Sequence, residues 1–231
     1  FAIFLVAICL FFLIPKFFNY ENKEEILKDY LLNYYDIEIN DYSLIEFKIF
    51  PLPNLAIKDV NFKVKSKPIF FNTKNFNIFL NFRNIYNYEN FTAKKVLLGH
   101  NKIILDIERT KDLFNYFGKL KYKLDVQELD LNLKKKTLSI VQLKRISFSN
   151  FGFKKNKIEG EIFEKKFKAY LDKDNNNLDF RILKTGIKAN FNFNEINKTD
   201  LISGSSKISI LNNYLKFNFK IKSDQLEIIK A

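Results

Sequence analysis

From Ile45 to Val64 the chain alternates apolar and polar residues with a period of two. Ile45, Phe47 and Ile49 fall on one side, Glu46 and Lys48 on the other. This is the pattern of a strand with one buried face, because successive strand side chains point to opposite sides. Pro51 and Pro53 interrupt it, since neither has an N–H to give to a ladder, and they mark a structural corner. Alternation resumes at Leu55 and Ile57, then slips by one residue, so that Val60, Phe62 and Val64 form the next apolar set. A one-residue slip within a strand predicts a bulge or bend near Lys58–Asp59.

The same period recurs along most of the chain and predicts a mainly β fold. Expected strands are Asp36–Asn40, Leu44–Phe50, Asn54–Ser66, Phe76–Phe82, Phe91–Leu98, Asn101–Ile107, Lys123–Leu133, Thr137–Leu143, Lys144–Ser149, Lys157–Phe163, Lys166–Asp172, Asn177–Leu183, Ile187–Asn194, Lys207–Ile210 and Tyr214–Lys222. Short connections rich in Asp and Asn, such as Asn212-Asn213, imply an antiparallel meander, since parallel pairs need long crossovers. Two helices stand out. Tyr20–Tyr35 is amphipathic, with Asn22 and Glu25 as a capping pair and Ile26, Leu27, Tyr30, Leu31 and Tyr34 as its apolar face. Lys111–Gly118 is shorter, with Leu113, Phe114 and Phe117 apolar. It divides a first β segment, residues 19–121, from a second meander, residues 122–231, although both can belong to one continuous curved sheet.

Residues 1–18 read as a transmembrane anchor. Phe1 to Ile14 carries no charge, and Phe17 and Phe18 continue the apolar run past Pro15 and Lys16. A span needs about 20 apolar residues. The chain contains no Met, so it reads as a piece of a longer protein, and the visible run as part of a span. The alternative is a signal peptide, but no small-residue cleavage site follows the run. Cys9 lies within it and is the only cysteine, which excludes a disulfide framework.

Little in the sequence supports catalysis. His100 is the sole histidine and reads as a turn residue in Gly99-His100-Asn101, so neither a zinc site nor a Ser-His-Asp triad has its usual parts. The glycines are scattered, and Ser203-Gly204-Ser205-Ser206 precedes a strand rather than a helix, so no phosphate loop is present. The expectation is no enzyme, no metal and no cofactor. The formal net charge of +13 raises the question of nucleic acid. No binding motif accompanies it, and the lysines alternate with apolar residues, as in Lys216-Phe217-Asn218-Phe219-Lys220. They read as a solvated sheet face.

An apolar N-terminal run, an amphipathic helix and a strand–Pro51-Leu52-Pro53–strand unit ending in Leu55, Ile57, Asp59 and Val60 together resemble the start of AsmA-family proteins. The resemblance implies a membrane-anchored β-groove in the periplasm of a Gram-negative-type bacterium, held by a single pass in the inner membrane. It also implies phospholipid as cargo, a part in outer-membrane assembly or integrity, envelope proteins as partners and no nucleic acid. The groove lining would comprise Ile45, Phe47, Ile49, Leu55, Ile57, Phe76, Ile78, Leu80, Phe191, Phe193, Phe217 and Phe219. Patterning alone favours instead a closed β-sandwich in a membrane-tethered structural or interaction module, and a binding domain for a small apolar molecule also stays open.

Overall fold

The computed structural model describes residues 2–6, 24–48, 52–81, 91–172, 177–194, 202–222 and 225–230. Its strands form one open sheet of 14. They are β1 (Ile37–Asp41), β2 (Leu44–Lys48), β3 (Asn54–Val64), β4 (Ile69–Leu80), β5 (Ala93–Asp106), β6 (Leu124–Lys135), β7 (Leu138–Ser149), β8 (Lys157–Ile162), β9 (Lys165–Asp172), β10 (Asn177–Ile182), β11 (Ile187–Phe193), β12 (Ile202–Ile210), β13 (Asn213–Lys222) and β14 (Gln225–Lys230). From β3 onward, spatial order follows chain order. β1 and β2 share the outer edge of β3, pairing with its second and first halves respectively. The described strands form one sheet rather than two, as expected of a single long sheet and unlike the alternative of a two-sheet sandwich.

The sheet is mixed, which corrects the all-antiparallel expectation. β5 and β6 run parallel, with Val96 to Asp106 in register with Leu124 to Lys134. A parallel pair requires a long crossover. Here it is supplied by a 3₁₀ turn, Ile107–Arg109, and the helix Thr110–Lys119. We label that helix α2, and the helix Glu24–Tyr35 before the sheet α1. The short helix therefore does not divide two sheets; it closes the loop that joins β5 to β6.

The sequence slip at Lys58–Asp59 is one member of a series. Asp59 on β3, His100 on β5, Glu128 on β6 and Arg145 on β7 all have φ between 50 and 56°. At each, the buried side chains change phase. β4 changes phase at Lys74–Asn75, opposite these positions. Neighbouring strands slip together, so the inward face stays apolar on both sides of the seam. His100 is thus not in a turn between two strands: β5 is continuous, and His100 pairs with Glu128 across the seam on the exposed face. Thr137–Leu143 and Lys144–Ser149 likewise merge into β7, with Arg145 at the bend in an ion pair with Glu161. Inside the seam, Thr73 Oγ1 donates to Asn101 Oδ1 at 2.7 Å. Asn101 Nδ2 donates to the carbonyls of Leu98 and Gln127 at 3.0 and 2.9 Å. These bonds satisfy carbonyls that the irregular ladder leaves free.

Both helices share a core with the inward face of the first half of the sheet. Leu27, Tyr30, Leu31 and Tyr35 of α1 are buried with Leu113, Tyr116 and Phe117 of α2 against the apolar residues of β3 to β6. The Phe117 ring contacts Phe71 on β4 at 6.4 Å and Phe148 on β7 at 5.1 Å. Polar bonds lock the two helices in place. Tyr116 donates to the Tyr35 carbonyl at 2.8 Å, Tyr35 donates to the Lys123 carbonyl at 3.3 Å, and the Ala93 N–H donates to the Tyr30 hydroxyl at 2.9 Å. The buried face of α1 is rotated from the expected one: Tyr35 is buried, whereas Ile26 and Tyr34 are on the rim. Among the described residues no helix is long and apolar enough to cross a membrane. Residues 2–6 are helical. The rest of the expected anchor, with Cys9 and the cap residue Asn22, lies outside the described residues.

Candidate apolar groove

Strand pairing puts the apolar residues of successive strands into rows on one face. One row runs Leu171, Leu178, Phe191, Ser206, Phe217 across β9 to β13. The next runs Ala169, Phe180, Ala189, Ile208, Leu215. In β3 and β4 the same face holds Leu55 opposite Ile78 and Ile57 opposite Phe76. The apolar face is therefore continuous across the sheet, but its cover is not.

The residues expected to line a groove fall into two groups. Leu55, Ile57, Phe76, Ile78 and Leu80 belong to the core that the helices close; Phe76 and Ile78 are completely buried. Phe47 is buried beside them, and Ile45 is half-buried against the same core. These positions are filled rather than open. Phe191, Phe193 and Phe217 lie in the second half and are half-buried, while Phe219 is buried among their rings. No element covers this half among the described residues, and Ile210, Leu215 and Ile228 are each more than half exposed. Ile49 and Pro51 lie outside the described residues. Pro53 is buried in front of β3, and its carbonyl accepts from Leu80 N at 3.0 Å, so it sits at the corner where the β2–β3 connection rejoins the ladder.

Between the covered and uncovered halves lies a cavity of about 170 Å³ with an entirely apolar wall. Leu113 and Phe117 of α2 close one end; Leu171, Leu178 and Phe180 lie towards the open half. Apolar cavities of about 150 Å³ remain dry and accept hydrocarbon guests. Gly160 shapes its surroundings: a Cβ there would meet the Phe167 ring at 2.9 Å and the backbone of Ile146 at 3.2 Å. The alternation pattern located this face but not the cavity, because α2 and β10 meet only through the crossover. Leu143, Ile146, Phe148, Ile158, Phe167, Ala169 and Phe180 all contribute to the face or its packing and were not among the expected lining residues. Their period-two spacing in β7 to β10 was the available signal.

A second, wider cleft of about 430 Å³ opens between the ends of α1 and α2. Tyr34, Tyr122, Lys67 and Lys119 line it, and Lys67 is already paired with Asp112 at 2.7 Å. No cluster suited to a metal ion occurs among the described residues. Comparison with protein-family models, with curated proteins and with solved structures returned no match.

Proposed function

We propose that the chain is the membrane-anchored, N-terminal part of an envelope protein whose inward sheet face holds and conducts phospholipid acyl chains between membranes. The observation that supports this best is the uncovered continuation of a core face. β3 to β6 bury their apolar residues under two helices, whereas among the described residues no helix lies over β10 to β13, where Ile210 and Leu215 are more than half exposed and Phe219 is buried by its neighbouring rings. An apolar surface of this extent on a soluble chain ordinarily meets a partner or a lipid. Curvature is supported by the apolar cavity. Strands β6 to β10 share it with α2, although they would span about 19 Å in a flat sheet. The resemblance of residues 45–60 to AsmA-type chains, and the apolar run in residues 1–18, add the membrane, the periplasmic body and the single-pass anchor.

Transfer by such a trough is a matter of solvation. Each methylene exposed to water costs about 0.8 kcal/mol. A continuous hydrocarbon lining removes most of that barrier while the headgroup stays in solvent, and no reacting group is required. Photo-crosslinking tests the proposal. Probes at Phe180 and Phe217 capture phospholipid, a probe at outward Asn218 captures none, and a probe at Ile78 reports only neighbouring protein. Absence of lipid at both Phe180 and Phe217 overturns the proposal. Capture of protein alone at Phe217 replaces it with a tethered interaction module.

A further inference from the structure

Ser206 interrupts the apolar row of the uncovered half. It lies opposite Phe191 on β11 and Phe217 on β13, with Gly204 two residues before it opposite Phe193 and Phe219. Four rings gather at this point: Phe219 stands 6.3 Å from Phe191, 6.0 Å from Phe193 and 6.4 Å from Phe217, centroid to centroid. Ser206 is 4% exposed, and its Oγ has no hydrogen-bond partner among the described residues. In the covered half, by contrast, Thr73 and Asn101 satisfy each other and the adjacent carbonyls. Among the described residues the other unmatched buried side-chain oxygen, Asn54 Oδ1, is at the β2–β3 corner, where its own amide donates to the Leu52 carbonyl.

A buried hydroxyl without a partner destabilises a fold, and alanine of nearly the same shape would avoid the penalty. Its surroundings define what would complete it. A neutral acceptor on a hydrocarbon chain would complete it, since the hydroxyl proton has no acceptor here. A carboxylate or phosphate would bring an unpaired charge among four phenylalanines. We propose that, when the surrounding phenylalanine rings part for a bound acyl glycerolipid, Ser206 Oγ donates a hydrogen bond to its ester carbonyl and so sets the position at which the chain rests in the trough. This rests on the lipid-trough proposal above. From Ser206 the row runs through Phe191 and Leu178 to Leu171, three strand steps or about 14 Å. Leu171 and Leu178 both border the apolar cavity. An acyl chain held at Ser206 by its ester therefore extends along the row towards the cavity, with the headgroup left outside the aromatic cluster.

The test compares a diester phospholipid with its diether analogue, matched in headgroup and chain length and presented to the full chain in detergent micelles. The wild-type protein binds the diester about three- to tenfold more tightly, the worth of one net neutral hydrogen bond. Ser206→Ala abolishes that preference by weakening diester binding alone, and Ser206→Thr, which keeps the hydroxyl, retains it. In the lipid-free protein Ser206→Ala raises the melting temperature, because an unmatched hydroxyl is removed. Equal binding of both lipids by the wild type, or undiminished diester binding by Ser206→Ala, overturns the Ser206 assignment while leaving the trough intact. Failure of the wild type to bind either lipid removes the trough proposal, and this inference with it.

Discussion

A side chain here has different consequences on the same face according to the half it occupies. Ile78 and Leu215 both point inward, yet Ile78 is completely buried and Leu215 is 53% exposed. An aspartate at Ile78 would be an unpaired carboxylate inside a closed core. Ile78→Asp is expected to lose more than about 4 kcal/mol in chemical denaturation, the range reserved for buried charges and cavities. Leu215→Asp keeps its carboxylate in water and is expected to stay within about 1 kcal/mol of the parent. A similar loss in both variants would mean that the second half is covered too. Period-two spacing in the sequence was enough to place Ile78 and Phe217 on one face. It held no information on cover, because a strand facing a helix and a strand facing open space share the same alternation.

At the scale of elements, α2 is where the expectation departed most from the structure. Its extent, Thr110–Lys119, was nearly legible from Leu113, Phe117 and Gly118, but its role as a crossover was not, since nothing local distinguishes a helix that separates sheets from one that joins parallel neighbours. The slip was legible at Asp59, where Leu55, Ile57 and Val60 bracket it, and it is a bend shared with β4 rather than a bulge, since Lys58 and Val60 keep register with Asn75 and Thr73. At His100 and Arg145 the same slip read as a break between strands. β4 was expected to start at Phe76 rather than Ile69, because Asn72-Thr73-Lys74-Asn75 is as polar as a loop. Both helices are held by tyrosines that ionise with difficulty: burial pushes the hydroxyls of Tyr30, Tyr35 and Tyr116 above the ordinary tyrosine range. A group raised on folding contributes stability that is complete below its unfolded value, about 10 for tyrosine, and is lost as pH climbs towards the folded value. The denaturation midpoint is therefore expected to hold through neutral pH and to fall steadily above about pH 10. Tyr116→Phe should lessen that alkaline fall. At pH 7 it should cost about 1–3 kcal/mol, because the Tyr35 carbonyl loses its buried donor. An unchanged midpoint in Tyr116→Phe would show that the two helices are not joined through this bond.

Over the described molecule, a helix-covered half is continuous with one that no described helix covers, and their stabilities should differ. Regions with few buried apolar contacts open at lower free energy. Hydrogen exchange is expected to show slow amides in β3 to β6 and faster, graded exchange from β10 to β13. Uniform protection across the sheet would contradict the division. The mainly β character was legible in the sequence, but the union of the strands before and after α2 into one sheet depends on the β5–β6 pairing, which bridges residues on either side of the crossover. Beyond β6 each strand pairs only with its chain neighbours. That connectivity makes the second half a ruler. Inserting or deleting one hairpin would lengthen or shorten it by about 10 Å, without altering any contact in the helix-covered core. Distance spanned and stability of the base can therefore be tuned separately, as they are in stacked-repeat proteins, whose neighbours contribute one interface at a time.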